Sequence, residues 1–92
     1  MNKFRNLDMV KSGQRIKKAI QAKGYTVRQI QEILEFECPH PIYRWYKGKT
    51  LPSIDNLYIL SQLLGMHMED LLEERQVTQV EIPKKEKKSI WD

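Results

Sequence analysis

The sequence predicts an all-α domain of five short helices with a brief irregular C-terminal tail. Three observations carry that prediction. Between about residues 12 and 74, apolar residues recur at intervals of three and four. Each such stretch is bounded by a capping residue, a proline or a glycine. No alternating strand pattern interrupts them.

The first helix is expected from about Ser12 to Lys23, capped by Asp8 or Ser12, with Ile16, Ala19 and Ile20 as its buried stripe and Gly24 as its stop. Thr26 and Gln29 have the spacing of a capping box, so a second helix should start there, burying Val27, Ile30, Ile33 and Leu34. A break follows at Glu35-Phe36-Glu37, with the acids in solvent and Phe36 turned inward. Cys38-Pro39 should open the third helix, because proline loses nothing at a position whose N–H has no helical partner. The Cys38 thiol is expected to cap it. Ile42 and Trp45 then face the core, His40, Tyr43, Arg44 and Lys47 face outward, and Gly48 ends the helix. Tyr46 can pack under the following loop or lie at the rim.

Ser53 caps the fourth helix, which buries Ile54, Leu57, Leu60, Leu63 and Leu64 and closes at Gly65. From Met66 to about Glu74 a last short helix is expected, with His67 at its cap and Leu71 and Leu72 inward. The chain therefore divides into a flexible lead-in (1–11), a helical domain (12–74) and a tail or dimerisation arm (75–92).

A chain of 92 residues suits one domain, and 40% hydrophobic residues suffice for a modest core. No apolar run reaches the ~20 residues of a membrane span. The first residues lack the apolar centre of a secretory signal, and a single cysteine fits a reducing compartment, so a cytoplasmic protein is expected. Charge is unevenly placed. Residues 1–49 hold eleven Lys/Arg against four Asp/Glu, whereas residues 50–83 hold one Arg against six acids. Such asymmetry aims one face at a polyanion.

Helices two and three, with Ile42, Trp45 and Gly48 followed by Pro52, Ser53, Leu57, Leu60, Leu64, Gly65, Leu71 and Leu72, resemble the lambda repressor-like helix-turn-helix family of phage repressors and Cro proteins. The likeness covers about residues 12–73. It implies a five-helix fold whose third helix enters the DNA major groove, commonly in a homodimeric repressor. Two departures stand out. Glu35 occupies a turn position where the family usually has glycine, with one extra residue between Leu34 and Ile42. Val27 stands where the family often has a phosphate-contacting Gln, a role Arg28 could take over.

The residues make their own case for DNA. Arg44 can bind a guanine bidentately, His40 can read either purine, and Tyr43 can meet a thymine methyl or a phosphate. Lys47 and Lys49 suit phosphates, as do the amides opening the second helix. The candidate DNA-binding set is Thr26, Arg28, Gln29, Pro39, His40, Tyr43, Arg44, Lys47 and Lys49. The expectation is a sequence-specific double-stranded DNA-binding transcriptional regulator, a repressor reading the major groove with the helix from Pro39 to Lys47. The alternative is a protein-interaction or antitoxin-like module. Catalysis is not expected: Cys38 and His40 have no third partner, His67 lies on another helix, and no phosphate loop or carboxylate pair occurs. No cofactor, metal or small-molecule ligand is called for.

Overall fold

A computed structural model of the chain describes residues 6–75. Four α-helices follow one another: α1 (Met9–Ala22), α2 (Val27–Ile33), α3 (His40–Tyr46) and α4 (Ile54–Leu64). In place of the fifth expected helix stands a single 3-10 turn, Met68–Leu71. Among the described residues the only strand-like pairing is one antiparallel bridge, Leu7 with Glu74. Residues 76–92 of the expected tail or dimerisation arm (75–92) lie outside the described residues.

The last helix is cut short by competition for its backbone. Leu72 is already extended, at φ −119° and ψ 153°. The Arg15 guanidinium donates to the carbonyls of Asp70 (3.2 Å) and Leu72 (3.4 Å), and it pairs with the Glu73 carboxylate. Beyond it, Asp8 donates its N–H to the Glu73 carbonyl and Arg75 donates to that of Asn6, both at 2.7 Å. These bonds use the groups a further helical turn would need.

The same clasp explains where α1 starts. Asp8, extended, accepts the Lys11 N–H at 2.9 Å and caps the helix, which begins at Met9 rather than Ser12. Ser12 is fully buried inside the helix instead, and its hydroxyl accepts the Glu73 N–H at 2.8 Å. The predicted capping box holds in both directions: Gln29 N–H to Thr26 Oγ1 is 3.1 Å and Thr26 N–H to Gln29 Oε1 is 2.9 Å. Ser53 caps α4 as expected, accepting the Asn56 N–H at 3.2 Å.

Ile16, Ile20, Ile30, Leu34, Ile42, Trp45, Leu57, Leu60, Leu64 and Leu71 form one core. The expected Ala19, Val27, Leu63 and Leu72 pack against it partly buried, and two expected members, Ile33 and Ile54, are exposed. Ile33 is 40% exposed because Val27, Ile30 and Leu34 share one stripe of α2, and Ile33 falls on the opposite side of Ile30. Ile54 is 76% exposed, since it stands at the margin of the α4 stripe, one turn beyond the buried Leu57.

Helix α1 crosses the end of α3 almost backbone on backbone. A Cβ on Gly13 would overlap the Trp45 carbonyl oxygen, and one on Gly48 would come within 2.7 Å of the Val10 Cα. Gly48 also has φ 77°, where other residues are strained. Gly13→Ala is therefore expected to lower stability by about 3 kcal/mol or more, as forced overpacking does, read as a lower urea midpoint. Glu35, at φ 59°, is the single non-glycine residue with positive φ among those described. Glu35→Gly should raise stability by about 1 kcal/mol, the left-handed penalty it removes; an unchanged midpoint would show that the turn carries no such strain.

Candidate nucleic-acid interface

The turn joining α2 to α3 is closed mainly by main-chain groups. Leu34 ends α2, and the left-handed Glu35 reverses the chain. The Phe36 N–H then bonds the Gln31 carbonyl at 3.0 Å, while the Gln31 side-chain amide donates to the Phe36 carbonyl at 3.3 Å. The Phe36 ring packs edge-on to Trp45, centroids 5.9 Å apart. One longer turn with an aromatic plug thus replaces the glycine-containing turn of the family pattern.

Helix α3 starts one residue later than the sequence predicts. Pro39 is the flanking cap residue, not the first helical one, and its carbonyl accepts from Ile42 (3.0 Å) and Tyr43 (3.3 Å). His40 is the first helical residue, and Pro41, the second, brings no N–H needing a partner. Cys38 is exposed and makes no cap, because the start of the helix has moved beyond its reach. At the other end Lys47 is the cap residue, ending the helix at Tyr46. The Lys49 N–H closes back on the Arg44 carbonyl at 2.9 Å.

Helical geometry then sorts the side chains. Ile42 and Trp45 are buried, and His40, Tyr43, Arg44 and Lys47 are exposed together on the outer side, with Lys49 exposed just beyond. Arg44, Lys47 and Lys49 make no ion pair with another described residue. Arg28, on the exposed side of α2, meets Glu32 at 3.8 Å, but both side chains are so exposed that the pair is weak. Thr26 and Gln29 are exposed at the head of α2, their capping bonds made. Between α2 and α3 lies an open groove of about 350 Å³, walled by Val27, Arg28, Gln31, Glu32, Pro39 and Tyr43. Of the sequence-predicted residues, Arg28, Pro39 and Tyr43 line this one groove, while His40, Arg44 and Lys47 lie on the exposed side of α3.

Two side chains outside the predicted set adjoin this surface. Tyr46 is half-buried and stands perpendicular to Tyr43, ring centroids 6.3 Å apart. The Lys17 ammonium of α1 lies over the Tyr46 ring, 5.7 Å from its centre. Burial, and secondarily the Tyr43 phenol, push the Tyr46 hydroxyl above its ordinary value of 10.0. Nothing in the local sequence announces this stack, since Lys17 and Tyr46 are far apart along the chain.

No protein-family model matches the chain, and no curated protein matches it by sequence. Solved structures do. One is the high-resolution crystal structure of the restriction-modification controller protein C.AhdI from Aeromonas hydrophila, 25% identical, covering 70% of this chain and 96% of that one with a TM-score of 0.59. Its fold is that of the repressor-type helix-turn-helix family. The DNA-binding domain of BldD superposes as well, at 14% identity and a TM-score of 0.58, over 71% of this chain and 93% of its own. No described helix is long and apolar enough to cross a membrane.

The raised Tyr46 pKa fixes the sign of a pH effect. The folded state holds the phenol proton more tightly than the unfolded chain does. Its share of stability is complete below pH 10.0 and declines as the pH climbs through the raised value. Tyr46→Phe should therefore show a shallower loss of stability than the wild type in alkaline urea titrations, and a parallel loss would assign the decline to other groups.

Proposed function

We propose that the chain is a sequence-specific double-stranded DNA-binding transcriptional regulator, a cytoplasmic repressor acting as a homodimer, that inserts α3 into the major groove. The observation that carries this reading is the outer side of α3: His40, Tyr43, Arg44 and Lys47 exposed side by side, with no carboxylate pairing Arg44 or Lys47 among the described residues. A rod of this kind fits a groove ~12 Å wide. The likeness to a restriction-modification controller protein and to a DNA-binding domain supports the same conclusion.

In this reading Arg44 takes a guanine edge, His40 a purine, and Tyr43 a thymine methyl or a phosphate. Pro39 brings the start of α3 close to the bases. Lys47 and Lys49 bind phosphates, and Arg28 leaves its weak pair with Glu32 to do the same. The α2 amides near Thr26 and Gln29 add the partial positive charge of a helix start. One such domain spans few base pairs, so a two-fold dimer on a near-palindromic site is the economical arrangement. No catalytic role is assigned.

A second reading, a module for a protein partner, is favoured by one observation: Ile54 and Tyr58 lie a turn apart on α4, 76% and 54% exposed. Salt separates the two, since counterion release makes DNA binding fall steeply with ionic strength and apolar contact does not. Selection of bound genomic fragments, followed by titration of the recovered duplex, tests the proposal. Arg44→Ala should lose ~1–3 kcal/mol of discrimination at one base pair, whereas Lys49→Ala should weaken all duplexes alike. Wild-type binding by both variants would remove these residues from the interface.

A further inference from the structure

We propose that Lys17, held over the Tyr46 ring, is a DNA-phosphate contact supplied by α1, on the flank of α3 opposite Arg44. The inference rests on the DNA reading above and adds to it a position that the helix-turn-helix pair does not contain.

The argument starts from the angles around α3. At about 100° per residue, Tyr46 stands roughly 60° from Tyr43 on one side, while Lys47, His40 and Arg44 spread over about 100° on the other. Tyr46 thus marks one edge of the outward surface and Arg44 the opposite edge. A helix lying in the major groove has a sugar-phosphate strand along each flank. On one flank Arg44 is itself the cation, and Lys49 follows the end of the helix with its N–H bonded to the Arg44 carbonyl. On the Tyr46 side, α3 itself offers no cation. Its neighbours there are the α2 residues that wall the groove with Pro39 and Tyr43, and, farther along α3, Lys17. Arg28 and Lys17 therefore line the same flank, one toward the start of α3 and one toward its end.

The stack also determines how Lys17 is presented. A free lysine loses much side-chain entropy when it binds a phosphate. Here the ammonium already rests 5.7 Å from the Tyr46 centroid, and Tyr46 is itself wedged at 90° against Tyr43. The ring shields part of the ammonium without neutralising it, and Lys17 has no carboxylate partner among the described residues. Its neighbour Lys18 is exposed too, yet lies about 100° farther round α1. Lys18 is thus an internal control of equal charge.

The test measures how the dissociation constant of a duplex recovered by genomic selection, and of a scrambled duplex, varies with salt. Lys17→Gln should weaken both duplexes alike and lower the slope of log Kd against log salt by about 1, the signature of one lost phosphate. Lys17→Arg should keep the wild-type slope, as should Lys18→Gln. Tyr46→Leu should reduce affinity in the same direction, while Tyr46→Phe, which retains the ring, should not. An unchanged slope in Lys17→Gln, in a setting where Lys49→Ala does lose affinity, overturns the proposal and leaves the DNA reading intact. Equal losses from Lys17→Gln and Lys18→Gln would also overturn it, because net charge alone would then account for the effect. A wild-type chain that enriches no duplex in the genomic selection would sink the DNA reading itself.

Discussion

Everything presented by α3 depends on how closely α1 can approach it. Seven residues make fewer than two full turns, too short to hold helical form in water unaided. Its direction is set by what it packs on, and the closest packing is at Gly13, whose missing side chain admits the Trp45 carbonyl. The Trp45 indole then enters the core, and Phe36 lies against its edge. With Trp45 fixed inward, His40, Tyr43, Arg44 and Lys47 have to point outward. This outward surface is in that sense a by-product of a steric gap in another helix.

The longer turn before α3 shows a local cost offset by a non-local contact. Glu35 adopts a conformation that glycine would take freely. The extra residue of this turn also brings Phe36 between the helices, where it packs on Trp45 and bonds both ways with Gln31. A tighter glycine turn would leave that space to be filled by something else.

Features carried by neighbouring residues were legible in the sequence. The Thr26–Gln29 box, the Ser53 cap, the glycines after α3 and α4, and the inward pair Ile42 and Trp45 all follow from spacings of three or four. What was not legible depends on residues far apart. Ser12 looks like a cap, yet its hydroxyl serves a residue sixty-one positions away. Gly13 drew no notice within the first helix, where glycine ordinarily weakens it, and only the crossing with Trp45 gives it a purpose. The predicted fifth helix failed because Arg15 and Asp8 claim its carbonyls. Ile33 and Ile54 fit a generous apolar pattern but miss the narrower stripe that meets the core. For the candidate surface, the identity of the outward residues was readable, whereas the Lys17–Tyr46 stack at its border was not.

The pairing of Asn6 and Asp8 with Glu73 and Arg75 has a kinetic consequence. Closing it joins the two ends of the described chain, so it carries the largest ring-closure entropy of any contact among the described residues. Such a seam is expected to zip up last, after the helices have docked, and to fray before the core does. Hydrogen exchange at the Glu73 and Arg75 amides would then run ahead of exchange at Ile20 or Leu60, with the domain breathing at its stitched margin while α3 stays in register.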